Sequence, residues 1–176
     1  MNYISIDLET TGVDLLKDSP IQIAWEVYDE DRKFLTNSSV YIKTFKLSPV
    51  ITEITGITQE TLDLQGVTTS AAANIYNSLM WKFFPVVLIG YNILNFDFPM
   101  LQNWLTRTVP GRFKYPPLMG IQDVMFTYCD HFKQKNWPKL AEAGRRLKID
   151  FDPKALHDAE TDVNLTWKIY DKICPM

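Results

Sequence analysis

Residues 86–89 restrict the fold most strongly, because all four are apolar and are bounded by Pro85 and Gly90. A run this short and uniformly apolar is typical of a strand buried on both faces, in the middle of a sheet that helices cover. The chain has 176 residues, and folding a chain of this length removes roughly 70% of its surface from water. We therefore expect an α/β layered fold with this strand near its centre.

Three extended segments precede that strand. Every second residue is apolar in residues 2–8, which is the period of a strand with two different faces. Residues 21–27 repeat the period, and a charged turn at 29–33 leads to a third extended stretch over 34–45. This order predicts a three-stranded antiparallel meander at the start of the chain.

Helical periodicity appears later in the chain. Apolar side chains recur at 3.6-residue spacing over 72–83, after a run of Thr and Ser residues suited to capping a helix. Further helices are predicted to begin near Asp97 and to cover about 124–131, 138–147 and 158–173. Ser48-Pro49 and Gly56 predict a loop with one short helical turn, and the Pro- and Gly-rich residues 106–120 predict a second loop.

These elements together predict an α/β fold with a mixed five-stranded sheet. Three antiparallel strands come first, parallel strands follow, and helices cover both faces. We find no internal repeat, low-complexity tract or linker, so residues 1–176 are expected to form a single domain.

The charge balance argues against a chain that binds polyanions over its whole surface. Eighteen basic and 21 acidic residues give a net charge of -3, so phosphate binding must come from a local patch or from metal ions. One basic patch is formed by Lys133, Lys135, Lys139, Arg145, Arg146 and Lys148, with Trp137 among them. Such a patch either follows a single-stranded backbone and stacks a base, or is a solvated helix face with one packed Trp.

Cysteine usage and hydropathy bear on the compartment. Cys129 and Cys174 are the two cysteines, too few for a disulfide framework or a four-cysteine zinc site. We find no signal peptide and no apolar run long enough to span a membrane. We therefore expect a reducing, cytoplasmic location and no membrane contact.

Asp7 and Glu9 are the first candidate ligands. They lie two residues apart at the end of the first predicted strand, so their carboxylates project from one face and could share a hard cation. Alternatively, the pair simply ends a strand that runs into a polar turn. Thr10 and Thr11 follow with Gly12 in that turn, where their hydroxyls and amides would be available to a substrate.

Asp97 is the second candidate. It follows the central apolar strand, whose carboxyl end is where ligand crevices form in open α/β sheets. The alternative is a capping role at the start of a helix, with Pro99 tolerated in the first turn. The two roles are compatible.

His157 and Asp162 open the last predicted helix. Asp162 begins the apolar stripe that Leu165, Ile169 and Ile173 continue. A carboxylate at the head of a core-facing stripe needs a cation or several donors, which favours metal ligation. The alternative is a solvated helix start, where acidic residues interact favourably with the helix dipole.

The three acidic segments together resemble the motifs of one nuclease family. Residues 6–12, Ile-Asp-Leu-Glu-Thr-Thr-Gly, look like the first motif of the DEDDh, or DnaQ-like, 3'-to-5' exonucleases. Asn92, followed after three residues by Phe96-Asp97, matches the second motif. Residues 157–162, His-Asp-Ala-Glu-Thr-Asp, match the histidine version of the third. The resemblance implies a ribonuclease H-like fold.

The similarity extends between the motifs, to residues 54–58 and 140–149, and so covers essentially the whole chain. One departure is Tyr91, which stands before Asn92 where relatives often have a histidine. The departure leaves the catalytic residues unchanged and bears on substrate contacts.

The resemblance implies a two-metal phosphodiester hydrolase. Its acidic residues would be Asp7, Glu9, Asp97 and Asp162, with Asp7 bridging two ions, Glu9 and Asp162 on the nucleophile side, and Asp97 supporting the other ion. Oxygen ligands favour two Mg²⁺, with Mn²⁺ able to substitute. His157 would be the general base, and an unperturbed imidazole titrates near pH 6.5, at about the working pH.

The implied reaction releases nucleoside 5'-monophosphates from the 3' end of single-stranded nucleic acid, with DNA favoured. Thr10, Thr11, Ile54, Asn92 and Phe96 are expected to contact the substrate; for Ile54 and Phe96, ordinary packing is the alternative. An RNA-directed exoribonuclease or oligoribonuclease is the nearest alternative function. A catalytically silent nucleic-acid-binding or scaffold protein is the alternative of a different class. A protein partner such as a polymerase is also compatible with the resemblance.

Overall fold

The computed structural model describes residues 1–109 and 116–174. Five strands of these residues form one sheet: β1 (Asn2–Thr10), β2 (Pro20–Tyr28), β3 (Phe34–Tyr41), β4 (Val86–Gly90) and β5 (Gly120–Asp123). The strand order is β3-β2-β1-β4-β5. The β3-β2-β1 part is antiparallel, whereas β4 runs parallel to both β1 and β5. The predicted mixed sheet is confirmed.

Helices lie on both sides of this sheet. In the described residues they are α1 (Pro49–Thr55), α2 (Gln59–Gln65), α3 (Thr69–Lys82), α4 (Asp97–Thr108), α5 (Val124–His131), α6 (Leu140–Arg146) and α7 (Ala159–Ile173). The apolar face of β1 packs with residues of α3 and α4, including Tyr76 and Trp104. The other layer joins α5, α6 and α7, and Leu165 and Ile169 of α7 are part of it.

The central strand β4 has the environment that its composition predicts. Leu88 belongs to the core on the α3/α4 side and Ile89 to the core on the α7 side, and both are fully buried. Each such side chain contributes about 1.5–3 kcal/mol when it leaves water. The strand therefore fixes both helical layers, and the loop that follows it, relative to β1.

The segment after the meander differs from the prediction. Instead of a loop with one helical turn, it forms two seven-residue helices, α1 and α2. Pro49 lies in the first turn of α1, and Gly56 ends that helix with a left-handed φ of 71°. The Thr58 side chain then caps α2 by accepting from the backbone amide of Thr61. The Pro and Gly residues interpreted as loop signals are thus helix start and stop signals.

The second predicted loop begins later than expected. Helix α4 continues to Thr108, two residues past the predicted start of the loop at 106. Thr106 donates to the Gln102 carbonyl one turn back, and Arg107 donates to the Asp18 carbonyl at 2.5 Å. The Thr106 bond stabilises the last turn of the helix, and the Arg107 bond holds that turn against the loop after β1. The rest of the loop prediction falls partly on residues 110–115, which lie outside the described residues.

No helix in residues 1–109 and 116–174 is long and apolar enough to cross a membrane.

Candidate active site

Three carboxylates converge at one end of β1. Asp7 and Glu9 lie two residues apart on the polar face of β1. Asp162 approaches them from the first turn of α7. One oxygen from each side chain lies within 4.8 Å of the other two. This arrangement could hold a metal ion, and the structure brings together three of the four acidic residues predicted to do so.

The small side chains beneath α7 explain how Asp162 reaches Asp7. Ala24 lies opposite Asp7 in the β1–β2 register and packs against Ala159 and Val163 of the helix. The fully buried Ser5 hydroxyl donates to the Val163 carbonyl at 3.1 Å. The first turn of α7 is therefore held directly on the strand that carries Asp7 and Glu9.

A second set of hydrogen bonds fixes the same helix one residue further along. Asn164 Nδ2 donates to Glu26 Oε1 at 3.0 Å, and the Tyr28 hydroxyl donates to Glu26 Oε2 at 2.6 Å. Glu26 is buried on β2, so its carboxylate needs these donors. Sequence reasoning missed this network, because the residues lie far apart in the chain.

Asp97 approaches the cluster from the end of β4. It is the first residue of α4, and the capping position belongs to Phe96, so the alternative of a capping role for Asp97 is wrong. The reason is the turn at 92–96, which already provides the backbone hydrogen bonds that precede the helix. Instead, the Asp97 side chain is only 4% exposed and accepts hydrogen bonds from the backbone at Asp97 and Leu8.

The carboxylates make one another harder to ionise. Burial, followed by repulsion from Asp97, Asp162 and Glu9, raises the pKa of Asp7 well above its ordinary value. Burial and neighbouring carboxylates raise the pKa of Glu9 to about 8. Burial also raises the pKa of Asp97 to about 7 and that of Asp162 to about 6, although hydrogen bonds partly oppose both shifts. Ionised together, these groups require positive charge beside them.

Two orphaned polar groups also fit a ligand at this position. Asp162 Oδ1 is buried and makes no hydrogen bond within the described residues. Gln22, which pairs with Glu9 across β1 and β2, is fully buried, and neither of its amide atoms has a partner there. Buried polar atoms are normally paired with protein, water or an ion. The oxygen-rich donor set therefore suits a hard divalent cation.

The cluster predicts an unusual pH dependence for the metal-free protein. Because the pKa values of Glu9, Asp97 and Asp162 lie above their ordinary values near 4, the folded state retains protons that the unfolded state has released. The free energy of unfolding should therefore fall as pH rises from about 4 to about 8. In EDTA, we expect a Tm roughly 5 °C lower at pH 8 than at pH 5.

Scanning calorimetry of the wild type and of Glu9→Gln checks this expectation. The variant removes the group with a pKa of about 8, so its Tm should vary less with pH. A wild-type Tm that stays level or rises over this range would show that the carboxylates are not destabilised by one another.

His157 lies at the edge of the same cluster. Its backbone adopts a left-handed φ of 67°, its side chain is exposed, and its amide donates to Asp162 Oδ2 at 3.4 Å. With Lys139, Leu140, Ala141, Leu156 and Asp162 it lines a cavity of about 90 Å³. The imidazole is thus accessible to solvent on the cavity wall that also carries Asp162.

The Thr10 and Thr11 side chains form hydrogen bonds within the turn that follows β1. The Thr10 hydroxyl donates to the Gly12 carbonyl at 2.6 Å, and the Thr11 hydroxyl donates to Asp18 Oδ1 at 2.8 Å. The Thr11 amide donates to the Ser19 carbonyl. Their predicted substrate contacts stay predictions, and in this structure both hydroxyls shape the loop beside Glu9.

The remaining predicted contacts lie on separate elements. Asn92 has a left-handed φ of 62° and accepts from Asn95 Nδ2 at 2.8 Å. Phe96 is half-buried and packs against the core beside α4, whereas Ile54 on α1 is 51% exposed. Part of the Phe96 side chain is therefore used in ordinary core packing, which was the alternative to substrate contact. The Ile54 side chain is exposed enough to contact a ligand. Substrate binding by all three stays a prediction.

Asp123 is a buried residue that sequence reasoning missed. At the end of β5 it accepts from the backbone amides of Asn92 and Leu94, each at 3.1 Å, and it caps α5 by accepting from Met125 and Phe126. It therefore fixes the loop that leads from β4 to Asp97. The one available signal was its position directly before a predicted helix at 124.

We expect Asp123→Ala to lower the free energy of unfolding by about 2–4 kcal/mol, because it leaves one buried and three partly buried backbone amides without their acceptor. Urea denaturation of Asp123→Ala and Asp123→Asn measures the loss. The Asn variant keeps an acceptor oxygen and should lose less. Equal stability of the Ala variant and the wild type would contradict this role.

Comparisons with known proteins agree with this geometry. The family model for exonucleases, RNase_T, matches residues 4–170. Among curated proteins, "DNA polymerase III PolC-type" of Mycoplasma genitalium is 28% identical over 177 residues, covering 96% of this chain and 11% of that protein. The chain thus spans about a tenth of the length of the curated relatives it matches.

Solved structures show the same architecture. E. coli exonuclease I in complex with a dT13 oligonucleotide matches with a TM-score of 0.81 and 22% identity, over 99% of this chain and 41% of that one. The zinc-ion-bound form of the E. coli exonuclease I complex with single-stranded DNA matches with a TM-score of 0.81 and 23% identity, over the same shares. The fold of this chain is therefore ribonuclease H-like.

Proposed function

Because this chain belongs to the exonuclease family whose model matches residues 4–170, we propose that it is a metal-dependent 3'-to-5' exonuclease. Its substrate is the 3' end of single-stranded nucleic acid, with DNA favoured, and its products are nucleoside 5'-monophosphates. The observation that carries the proposal is the convergence of Asp7, Glu9 and Asp162 within 4.8 Å, next to the buried Asp97.

The acidic residues are suited to two Mg²⁺ ions, for which Mn²⁺ can substitute. When bound, two divalent ions would stabilise charge on the scissile phosphate and make the attacking water more acidic. Asp7, at the centre of the cluster, is the residue proposed to hold both ions. Glu9 and Asp162 complete the nucleophile side, and Asp97 supports the leaving-group side.

His157 is the proposed general base. Its exposed side chain, on the cavity wall shared with Asp162, accepts a proton from the attacking water at an imidazole nitrogen. Attack on the terminal phosphodiester then breaks the bond between phosphorus and the 3' oxygen of the preceding nucleotide. That oxygen stays with the shortened strand. The 5' phosphate remains with the released nucleotide.

Two comparisons support DNA as the favoured substrate. The similar exonuclease I structure is a complex with a dT13 oligonucleotide, and the curated relatives are DNA polymerases. The relatives also support a polymerase as a partner, because their matching segment is part of a much longer polymerase chain.

The test uses matched 20-nucleotide single strands of DNA and RNA with a 5' label, in Mg²⁺, with EDTA as the control. The proposal expects both labelled strands to become progressively shorter, and the DNA strand to do so faster than the RNA strand. Faster RNA degradation would identify an exoribonuclease instead. A folded protein that binds the strands but degrades neither, in Mg²⁺ or Mn²⁺, would be a binding or scaffold protein.

A further inference from the structure

Trp137 is an exposed aromatic residue whose position is firmly held. Its side chain is 64% exposed, and its ring makes an edge contact with the Phe126 ring, with centroids 5.4 Å apart and planes at 62°. On one side of it, Gln134 Nε2 donates to the Asn136 carbonyl at 2.7 Å. On the other, the Tyr91 hydroxyl donates to the Pro138 carbonyl at 2.7 Å. The fold therefore fixes this segment without burying the ring.

These contacts place Trp137 beside the active site. Lys139, two residues further along, lines the cavity shared with His157 and Asp162. Two residues span at most about 7 Å of chain. Tyr91, which holds Pro138, directly precedes the loop from Asn92 to Asp97. The tryptophan thus lies next to the wall that carries the proposed general base.

Positively charged residues flank Trp137 on both sides in the chain, which favours a polyanion. Lys135 and Lys139 are exposed, and neither forms a salt bridge within residues 1–109 and 116–174. By contrast, Lys133 pairs with Asp130 at 2.8 Å, and Arg146 lies over the Phe132 ring at 4.1 Å. The two lysines nearest the tryptophan in the chain are therefore available to phosphates, as are Arg145 and Lys148, which are also exposed and form no salt bridge among the described residues.

We propose that Trp137 is a stacking subsite for a base upstream of the terminal nucleotide, with Lys135 and Lys139 facing the adjoining phosphates. The inference rests on the proposed function and adds how the single strand is held as its end is removed. Stacking on an aromatic ring tolerates every base, because each base has a π face. The subsite should therefore strengthen binding of longer strands without selecting a sequence.

The test compares Trp137→Ala, Trp137→Phe and the wild type. Fluorescence anisotropy with 5'-fluorescein-dT12 in Ca²⁺ at 4 °C measures Kd, and a gel confirms that the strand stays intact. Loss of one stacked base should raise Kd by roughly 5- to 100-fold in Trp137→Ala, while Trp137→Phe should retain most of the affinity. Trp81→Ala is the control, because Trp81 is also an exposed tryptophan but lies on α3. This variant should have the wild-type Kd.

A second substrate separates this subsite from the active site. The p-nitrophenyl ester of thymidine 5'-monophosphate contains one nucleotide and cannot reach a subsite for an upstream base. Trp137→Ala should hydrolyse it with the wild-type kcat and KM in Mg²⁺. If Trp137→Ala bound dT12 with the same Kd as the wild type, the subsite would be overturned. This holds even if the wild type degraded no nucleic acid. Failure of the wild type on every substrate would instead overturn the proposed function.

Discussion

Replacing Asp7 with Asn should abolish nucleotide release and at the same time stabilise the metal-free protein. The carboxylate lies at the centre of the cluster, so its loss removes the shared ligand and should lower kcat by about 10³-fold or more. Burial and four neighbouring acids oppose its ionisation and raise its pKa. A neutral amide of the same shape removes that repulsion, and we expect Tm in EDTA at pH 8 to rise by roughly 3–5 °C.

Release of the labelled mononucleotide from a 3'-labelled strand and calorimetry of the same samples measure the two effects. Asp31→Asn is the matched control, because Asp31 lies in the exposed turn between β2 and β3, far from the cluster in the fold. The control should match the wild type in both measurements. An Asp7→Asn protein that kept its activity, or that lost both activity and stability, would contradict the role of Asp7 as a destabilised metal ligand.

His157→Ala should lower kcat by about 10²- to 10⁴-fold, the usual contribution of a general base. The chain has two histidines, so His131→Ala is a natural control. His131 ends α5, stacks edge-on against Phe132 and lies outside the cavity wall. The control should keep the wild-type kcat.

Metal affinity distinguishes proton transfer from ligation at His157. Because the ligands in the proposal are carboxylates, Mn²⁺ titration by calorimetry should give the same affinity for His157→Ala and the wild type. A large loss of affinity would make His157 a ligand or a structural residue. A kcat equal to the wild-type value would remove it from the mechanism.

The alternation in β1 was enough to predict that Asp7 and Glu9 share a face. Strand period is a local property of the backbone, and the structure confirms it. The convergence of Asp162 on the same point depends on contacts such as Ser5 to Val163, which span 158 positions in the chain. No local pattern reports contacts of that kind, so this expectation came from the family resemblance.

The errors also have local causes. Pro49 and Gly56 are signals for both loops and helix ends, and the two short helices between β3 and α3 carry too few apolar residues to show a period. Strand β5 has four residues, only one of them buried, so its position could not be predicted. For Asp97 the alternative of helix capping is wrong, because the turn at 92–96 frees its side chain to face β1.

The raised pKa values lay beyond sequence reasoning for a different reason. Spacing predicts which acids share a face, but the ionisation of Glu9 depends on burial and on Asp162 and Asp97, which come from other elements. Asp123 illustrates the same limit, because its donors at Asn92 and Leu94 are set by the parallel pairing of β4 and β5.

The polarity of degradation tests the central claim most directly. One single-stranded DNA is prepared twice, with the label on its 5' end or on its 3'-terminal nucleotide, and both are digested in Mg²⁺. From the 5'-labelled strand, the proposal predicts a ladder of labelled fragments that become stepwise shorter at the 3' end. From the 3'-labelled strand, it predicts immediate release of a labelled mononucleotide. Neither product should form in EDTA or with Asp7→Asn. Internal fragments, release from the 5' end, or degradation that persists in EDTA would contradict it.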